Sequence, residues 1–128
     1  MPLVDMEAVR AVAVSDPEFR RETRYLNGAV KLKVADDTHV LHFKDGSISD
    51  LTGDDTPDEQ CKIVIKGTRE HWVNLLAEKP KPFYQCLQST AVKHGLSISD
   101  TYETFAYLPG LNRMTVLMRQ VFNSGGKA

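Results

Sequence analysis

The stretch CKIVIKGTREHWVNLLAEKPKPFY, residues 61–84, changes its apolar period halfway along. Cys61, Ile63 and Ile65 alternate with Lys62, Val64 and Lys66, the pattern of a half-buried strand. After the Gly67-Thr68 break, Trp72, Leu75 and Leu76 fall at i, i+3 and i+4, so they share one helix face. A strand that feeds an amphipathic helix calls for a sheet covered by helices, with large apolar side chains between the layers. Such a layer either fills a core or walls a pocket.

The remaining elements fit around that pair. Met6, Val9 and Ala13 predict a first helix. Ser15-Asp16-Pro17-Glu18 restarts a second, with a capping side chain, a proline suited to the first turn and an acid at its positive end. Arg20, Arg21 and Arg24 interleave with Glu18 and Glu22 and read as a solvated face. Asn27-Gly28 opens the sheet. Val30, Leu32 and Val34 alternate with Lys31 and Lys33, and Leu41 and Phe43 point away from His42. Asp45-Gly46 is a two-residue hairpin signal, followed by a weaker strand with Ile48 and Leu51. These short connections require an antiparallel meander. Residues 52–60 are a polar loop leading to the fourth strand, and Leu96 to Ser99 predicts a fifth. Helices are expected from Thr68 to about Glu78, from near Phe83 through Cys86, Leu87 and Ala91, and around Tyr102 and Phe105. Pro109-Gly110 is expected to break the chain before a closing helix carrying Leu111, Met114, Leu117, Met118 and Val121.

Composition narrows the function. The 128 residues suit a single domain over 1–128, with 1–17 as an N-terminal helical extension and 123–128 as a disordered tail. A formal charge of −1 supplies no overall field for nucleic acid, so no nucleic-acid partner is expected. No apolar run reaches the ~18 residues of a spanning helix and no signal-peptide pattern opens the chain. The expectation is a cytoplasmic protein without integral membrane association. Cys61 and Cys86 occupy apolar positions of different elements and read as buried reduced thiols.

The order of a helix, a meander ending in HFKDGSISDLT, the strand CKIVIKG, the helix TREHWVNLLAEK, the corner KPKPFY, a short strand and C-terminal helices resembles the sterol carrier protein (SCP2-like) lipid-transfer domain family. The counterpart of Phe43-Lys44-Asp45-Gly46 turns there between the second and third strands. The counterpart of Thr68 to Leu76 is a helix opening on threonine or serine, with an aromatic residue and two leucines. The likeness covers roughly residues 18–122. It departs from the family at Val92-Lys93-His94-Gly95-Leu96, where the glycine falls earlier, and at the Leu108-Pro109-Gly110 interruption. The resemblance implies an α+β fold: a five-stranded, mostly antiparallel sheet with helices covering one face around an apolar tunnel. It implies binding or transfer of a lipid, fatty acyl or sterol-like molecule, with no cofactor. Trp72, Phe83, Leu87, Tyr102, Phe105, Met114, Leu117 and Met118 are the candidates to line the tunnel, against a plain core role for each. In a roomy tunnel, a charge at Leu87 or Met118 would block the ligand and spare the fold. The oligomeric state is left open, a homodimer among the options.

Catalytic chemistry finds little support. His39 and His42, three apart on a strand, face opposite sides, and His71 and His94 have no completing ligand set, so no metal site is expected. No nucleophile motif or phosphate loop occurs. One alternative is a small isomerase or dehydratase acting on an apolar substrate, with Asp100, Tyr102 and Glu103 as acid–base candidates whose plainer role is capping an exposed helix. Another is a ligand-free protein-interaction module.

Overall fold

The computed structural model describes residues 3–124. Helices α1 (Met6–Val14) and α2 (Pro17–Thr23) precede strands β1 (Gly28–Val34), β2 (Asp37–Lys44) and β3 (Ser47–Thr52). A 3-10 turn (Asp58–Gln60) leads into β4 (Cys61–Gly67), then α3 (Arg69–Leu75), α4 (Leu87–His94), β5 (Ser97–Ile98), α5 (Tyr102–Ala106) and α6 (Leu108–Asn123). Of the expected tail, residues 125–128 lie outside the described residues.

The strands form one mixed sheet in the order β3-β2-β1-β4-β5. The meander is antiparallel, as its short turns demand. Asp45 and Gly46 both take positive φ, 51° and 84°, as a primed hairpin turn requires. Gly46 admits no side chain: a Cβ there would lie 2.5 Å from the Arg24 Cα, because the turn tucks under the end of α2. The longer β3–β4 connection brings the chain back to the free side of β1, where β4 pairs in parallel. Val30 then sits beside Ile63 and Leu32 beside Ile65, all four fully buried. β5 closes the other edge, with Ile98 opposite Ile65.

The helices cover the face carrying Val30, Leu32 and Val34. Met6, Val9 and Ala13 of α1 and Phe19 of α2 share one core cluster with α6 and the sheet. Asp16 caps α2 by accepting the Phe19 N–H and also accepts two hydrogen bonds from Arg113 of α6, at 2.8 and 3.0 Å. The Arg113 guanidinium holds the Asp16 carboxyl below its ordinary range.

The middle of the opposite face is not left to solvent. Lys31 points there from the central strand, yet it is only 5% exposed. The 53–60 loop folds back over it: Lys31 Nζ lies 2.7 Å from Asp58 and 3.5 Å from Asp54, and Lys66 pairs with Asp58 as well. Both lysines hold the Asp58 carboxyl low, and the bond to Asp58 raises Lys31.

Three helix boundaries differ from the sequence expectation. α3 ends at Leu75, short of Glu78, because α6 side chains take its last carbonyls: Arg119 donates to Leu75 O and Asn123 to Leu76 O. α4 starts at Leu87, so Phe83 lies in the corner and not on a helix stripe. Pro109 and Gly110 do not interrupt the closing helix but sit in its first turns. Proline is tolerated there, and Gly110 lets α6 close on α2, since a Cβ would lie 2.8 Å from Thr23 Cγ2. Among the described residues no helix is long and apolar enough to cross a membrane.

Candidate functional site: the layer between sheet and helices

The apolar layer is built from β1, β4 and β2 below and α3, α4 and α6 above. Five of the eight predicted residues meet in it: Trp72, Leu87, Met114, Leu117 and Met118 belong to the same buried cluster, none more than 2% exposed. α6 brings three of them along one stripe, because Met114, Leu117 and Met118 fall at i, i+3 and i+4. Trp72 is aimed down from α3 and its indole N–H donates to Lys33 O at 2.9 Å, which satisfies the one polar atom of the ring. Leu87 is fixed where α4 begins, its N–H donating to Asn112 Oδ1 of α6 at 2.9 Å.

The other three stay outside. Phe83 is 46% exposed, Tyr102 82% and Phe105 65%. For α5 the reason is local. Its buried position is Thr104, whose hydroxyl meets those of Ser99 and Thr101 at 2.9 Å each. Thr101 also caps the helix and donates to Lys62 O. This hydroxyl network anchors α5 on the β4 edge and turns Tyr102 and Phe105 outward. Asp100 and Tyr102 are exposed and Glu103 is partly so, and none of the three reaches the layer.

One further residue belongs to the layer, although its histidine side chain makes it no candidate for an apolar wall. His39 pairs across from Leu32 and therefore faces the helices, and its Nε2 is buried without a hydrogen-bond partner among the described residues. The signal was available, because His39 shares the parity of Leu41 and Phe43. Burial pushes its pKa below the ordinary histidine value, with Asp37 pulling the other way. The unfolded chain then takes up the proton first. Stability is complete above about pH 6.5 and declines as the pH falls through the lower folded value. His39→Leu is expected to flatten that decline, measured as denaturant midpoints at about pH 7.5 and about pH 5.5. Equal pH slopes in the two proteins would place the loss elsewhere.

Clefts open on the surface around this layer. One of about 460 Å³ lies where β1 and β4 end and α3 begins, lined by Lys33, Lys66, Arg69, His71 and Gly95 among others. Another of about 510 Å³ runs along the β4 edge beside Cys61, Ser97, Ser99 and Thr101. A smaller one of about 250 Å³ separates Ala13 and Phe19 from Ile48. Cys61 and Cys86 are free and partly buried, and burial pushes the Cys61 thiol up, away from a reactive thiolate. Among the described residues no group of three His, Cys, Asp or Glu side chains is placed to hold a metal ion.

No family model and no curated protein matches the chain. Solved structures do. A crystal structure of sterol carrier protein 2 superposes with a TM-score of 0.69 at 15% identity, covering 90% of this chain and 93% of that one. The solution structure of a conserved hypothetical protein of Thermus thermophilus, described as a possible sterol carrier protein, gives 0.65 at 15% identity over 89% and 83%. The ubiquinone synthesis protein UbiJ-SCP2 gives 0.53 at 14% identity over 84% and 86%. At these identities the likeness establishes the fold: the chain has the α+β architecture of sterol carrier protein 2.

Proposed function

We propose that the chain binds an apolar ligand, a lipid, fatty acyl or sterol-like molecule, between the sheet and the helical layer, as a cytoplasmic carrier. The observation that carries the reading is the convergence of Trp72, Leu87, Met114, Leu117 and Met118 on one apolar layer, within the sterol carrier protein fold. In this reading the five buried side chains wall the ligand, and Phe83, Tyr102 and Phe105 form its outer contacts. α6 is the element that yields. Two of its inward residues are methionines, the most adaptable apolar side chains. Besides its apolar stripe, it is held by polar ties at the rim, from Arg113 to Asp16 and from Arg119 and Asn123 to the end of α3. Burying a methylene contributes about 0.8 kcal/mol, so ten would contribute on the order of 8 kcal/mol before ordering costs. Ordering the chain and opening the layer offset part of that, so ten methylenes alone hold the ligand more weakly than the ~1 μM that about 8 kcal/mol corresponds to, and a longer chain is needed to reach it.

Native mass spectrometry of freshly purified protein is expected to show a co-purified lipid, and a fluorescent fatty acid should bind saturably. A protein with no bound lipid and no saturable uptake of fatty acyl or sterol probes would overturn the reading. The rim ties give a sharper test. Arg119→Met keeps the stem but removes both hydrogen bonds to Leu75 O. At about 1 kcal/mol each, probe uptake should speed up by roughly 30-fold if release of α6 limits entry. An unchanged rate would mean that the ligand enters elsewhere.

A further inference from the structure

From Lys79 to Ser99 the chain carries no Asp or Glu, although the whole sequence holds 17. The same stretch contains Lys79, Lys81, Lys93 and His94, and it presents Phe83, 46% exposed, and Val92, 80% exposed. Phe83 adopts φ 70°, a left-handed conformation that a bulky side chain avoids. Side chains hold it there. Ser89 and Thr90 hydroxyls both donate to Phe83 O, at 3.0 and 2.8 Å, and the Phe83 N–H donates to Gln85 Oε1. The fold thus maintains a strained backbone whose visible result is an aromatic ring facing solvent, with Lys93 Nζ 5.1 Å from its centre.

This corner is continuous with a second basic feature. Tyr84 stacks on His94 at 4.0 Å, and His94 O accepts from His71 Nε2, whose Nδ1 accepts the Thr68 N–H. His71 and Gly95 in turn line the cleft that carries Lys33, Lys66 and Arg69. Asp36 lines the cleft too, Glu70 stands in the first turn of α3, and Lys66 is paired with Asp58. Lys33, Lys79, Lys81, Lys93 and Arg69 make no ion pair among the described residues. An exposed aromatic ring with Lys93 over it, on a face that also carries unpaired cations along the chain and in the cleft, matches an anionic interface with an apolar interior.

We infer that this face, from the β1–β4 cleft through the end of α4 to Phe83, docks the protein on an anionic lipid surface, with Phe83 entering the headgroup boundary. The inference deepens the carrier reading by giving the place where cargo is exchanged, but its chemistry is independent of that cargo.

The test is co-sedimentation with vesicles of phosphatidylcholine alone and of equimolar phosphatidylcholine and phosphatidylglycerol, at low and at physiological salt. The expected result is binding to the mixed vesicles only, weakened by salt. A surface lysine is worth about 1 kcal/mol, or roughly fivefold, so Lys93→Gln should lose about fivefold. The triple variant of Lys79, Lys81 and Lys93 to Gln should lose on the order of 100-fold. Phe83→Gly is the decisive variant, because glycine accepts the left-handed backbone without strain. It should melt within a few degrees of wild type or higher, and still lose vesicle binding several-fold. Wild-type binding by both Phe83→Gly and the triple variant would overturn the inference. So would equal binding to the two vesicle types, or an oligonucleotide that competes fully and is indifferent to Phe83. Uptake of a fatty acyl probe by a protein that ignores vesicles would sink the docking inference alone. Vesicle binding without probe uptake would sink the carrier reading alone.

Discussion

Trp72→Ala is expected to destabilise the protein by about 3–5 kcal/mol, the range for removing a fully buried large aromatic residue. The indole is wholly buried, and its Nε1 edge lies against Gly67, where even a Cβ would come within 2.6 Å of it. Neither sheet nor helix can collapse into the vacated space, because Gly67 is held in the β1–β4 pairing. The substitution also leaves Lys33 O without its donor. Trp72→Phe separates the two contributions: it keeps part of the ring volume and loses only the hydrogen bond and the second ring, costing about 1–3 kcal/mol. Guanidinium unfolding, with the slope checked against wild type, is the measurement. A midpoint for Trp72→Ala equal to wild type would show the indole to be dispensable to the core.

The strands and the starts of α2 and α3 were legible because their causes are local. Asp45-Gly46 specifies its turn by backbone preference alone. Thr68 and Asp16 accept N–H groups three residues on, so each cap is written in adjacent residues. What was not legible depends on partners far along the chain. Period-two alternation puts Lys31 on the outer face, correctly, but its burial comes from Asp54 and Asp58 in a loop that reads only as polar. The end of α3 is set by Arg119 and Asn123. Proline chemistry is ambiguous by position: Pro109 can end one helix or begin the next, and only the approach of α6 to α2 at Gly110 decides it. The candidate site divides along the same line. Residues on long stripes, as in α6, lie buried between sheet and helices. Tyr102 and Phe105 sit on a single turn of helix, where two aromatic residues at i and i+3 cannot outweigh the threonine and serine hydroxyls that orient it. Phe83 was drawn into a helix by its neighbour Leu87, whereas the chain stays non-helical until Cys86.

Met118→Glu is expected to cost at least as much as Trp72→Ala, and to do so by a different route. The sequence expectation was that a charge at Leu87 or Met118 would block a roomy tunnel and spare the fold. Met118 is fully buried and Leu87 is 1% exposed, so a carboxylate at either place would stand unpaired in the core. An uncompensated buried charge costs about 3–5 kcal/mol, a large part of the stability of a domain this size. The side chain escapes by holding its proton, which raises its pKa in the folded state. The folded variant then binds more protons than the unfolded chain above about pH 4.3, so its penalty grows with pH through that region and levels off above the raised value. Met118→Glu should therefore melt well below wild type near neutrality and regain stability as the pH is lowered toward about pH 5, opposite in sign to the His39 effect. A cooperative, near-wild-type melt at neutral pH would mean that water reaches this position, and that the layer is open in the free protein. Because the charged variant weakens the fold along with the site, ligand binding is better read from Met118→Leu. That exchange conserves volume, at a cost below about 1.5 kcal/mol, but replaces an adaptable chain with a branched one. If a ligand enters by pushing aside the methionines of α6, this variant keeps its stability and takes up the acyl probe less well.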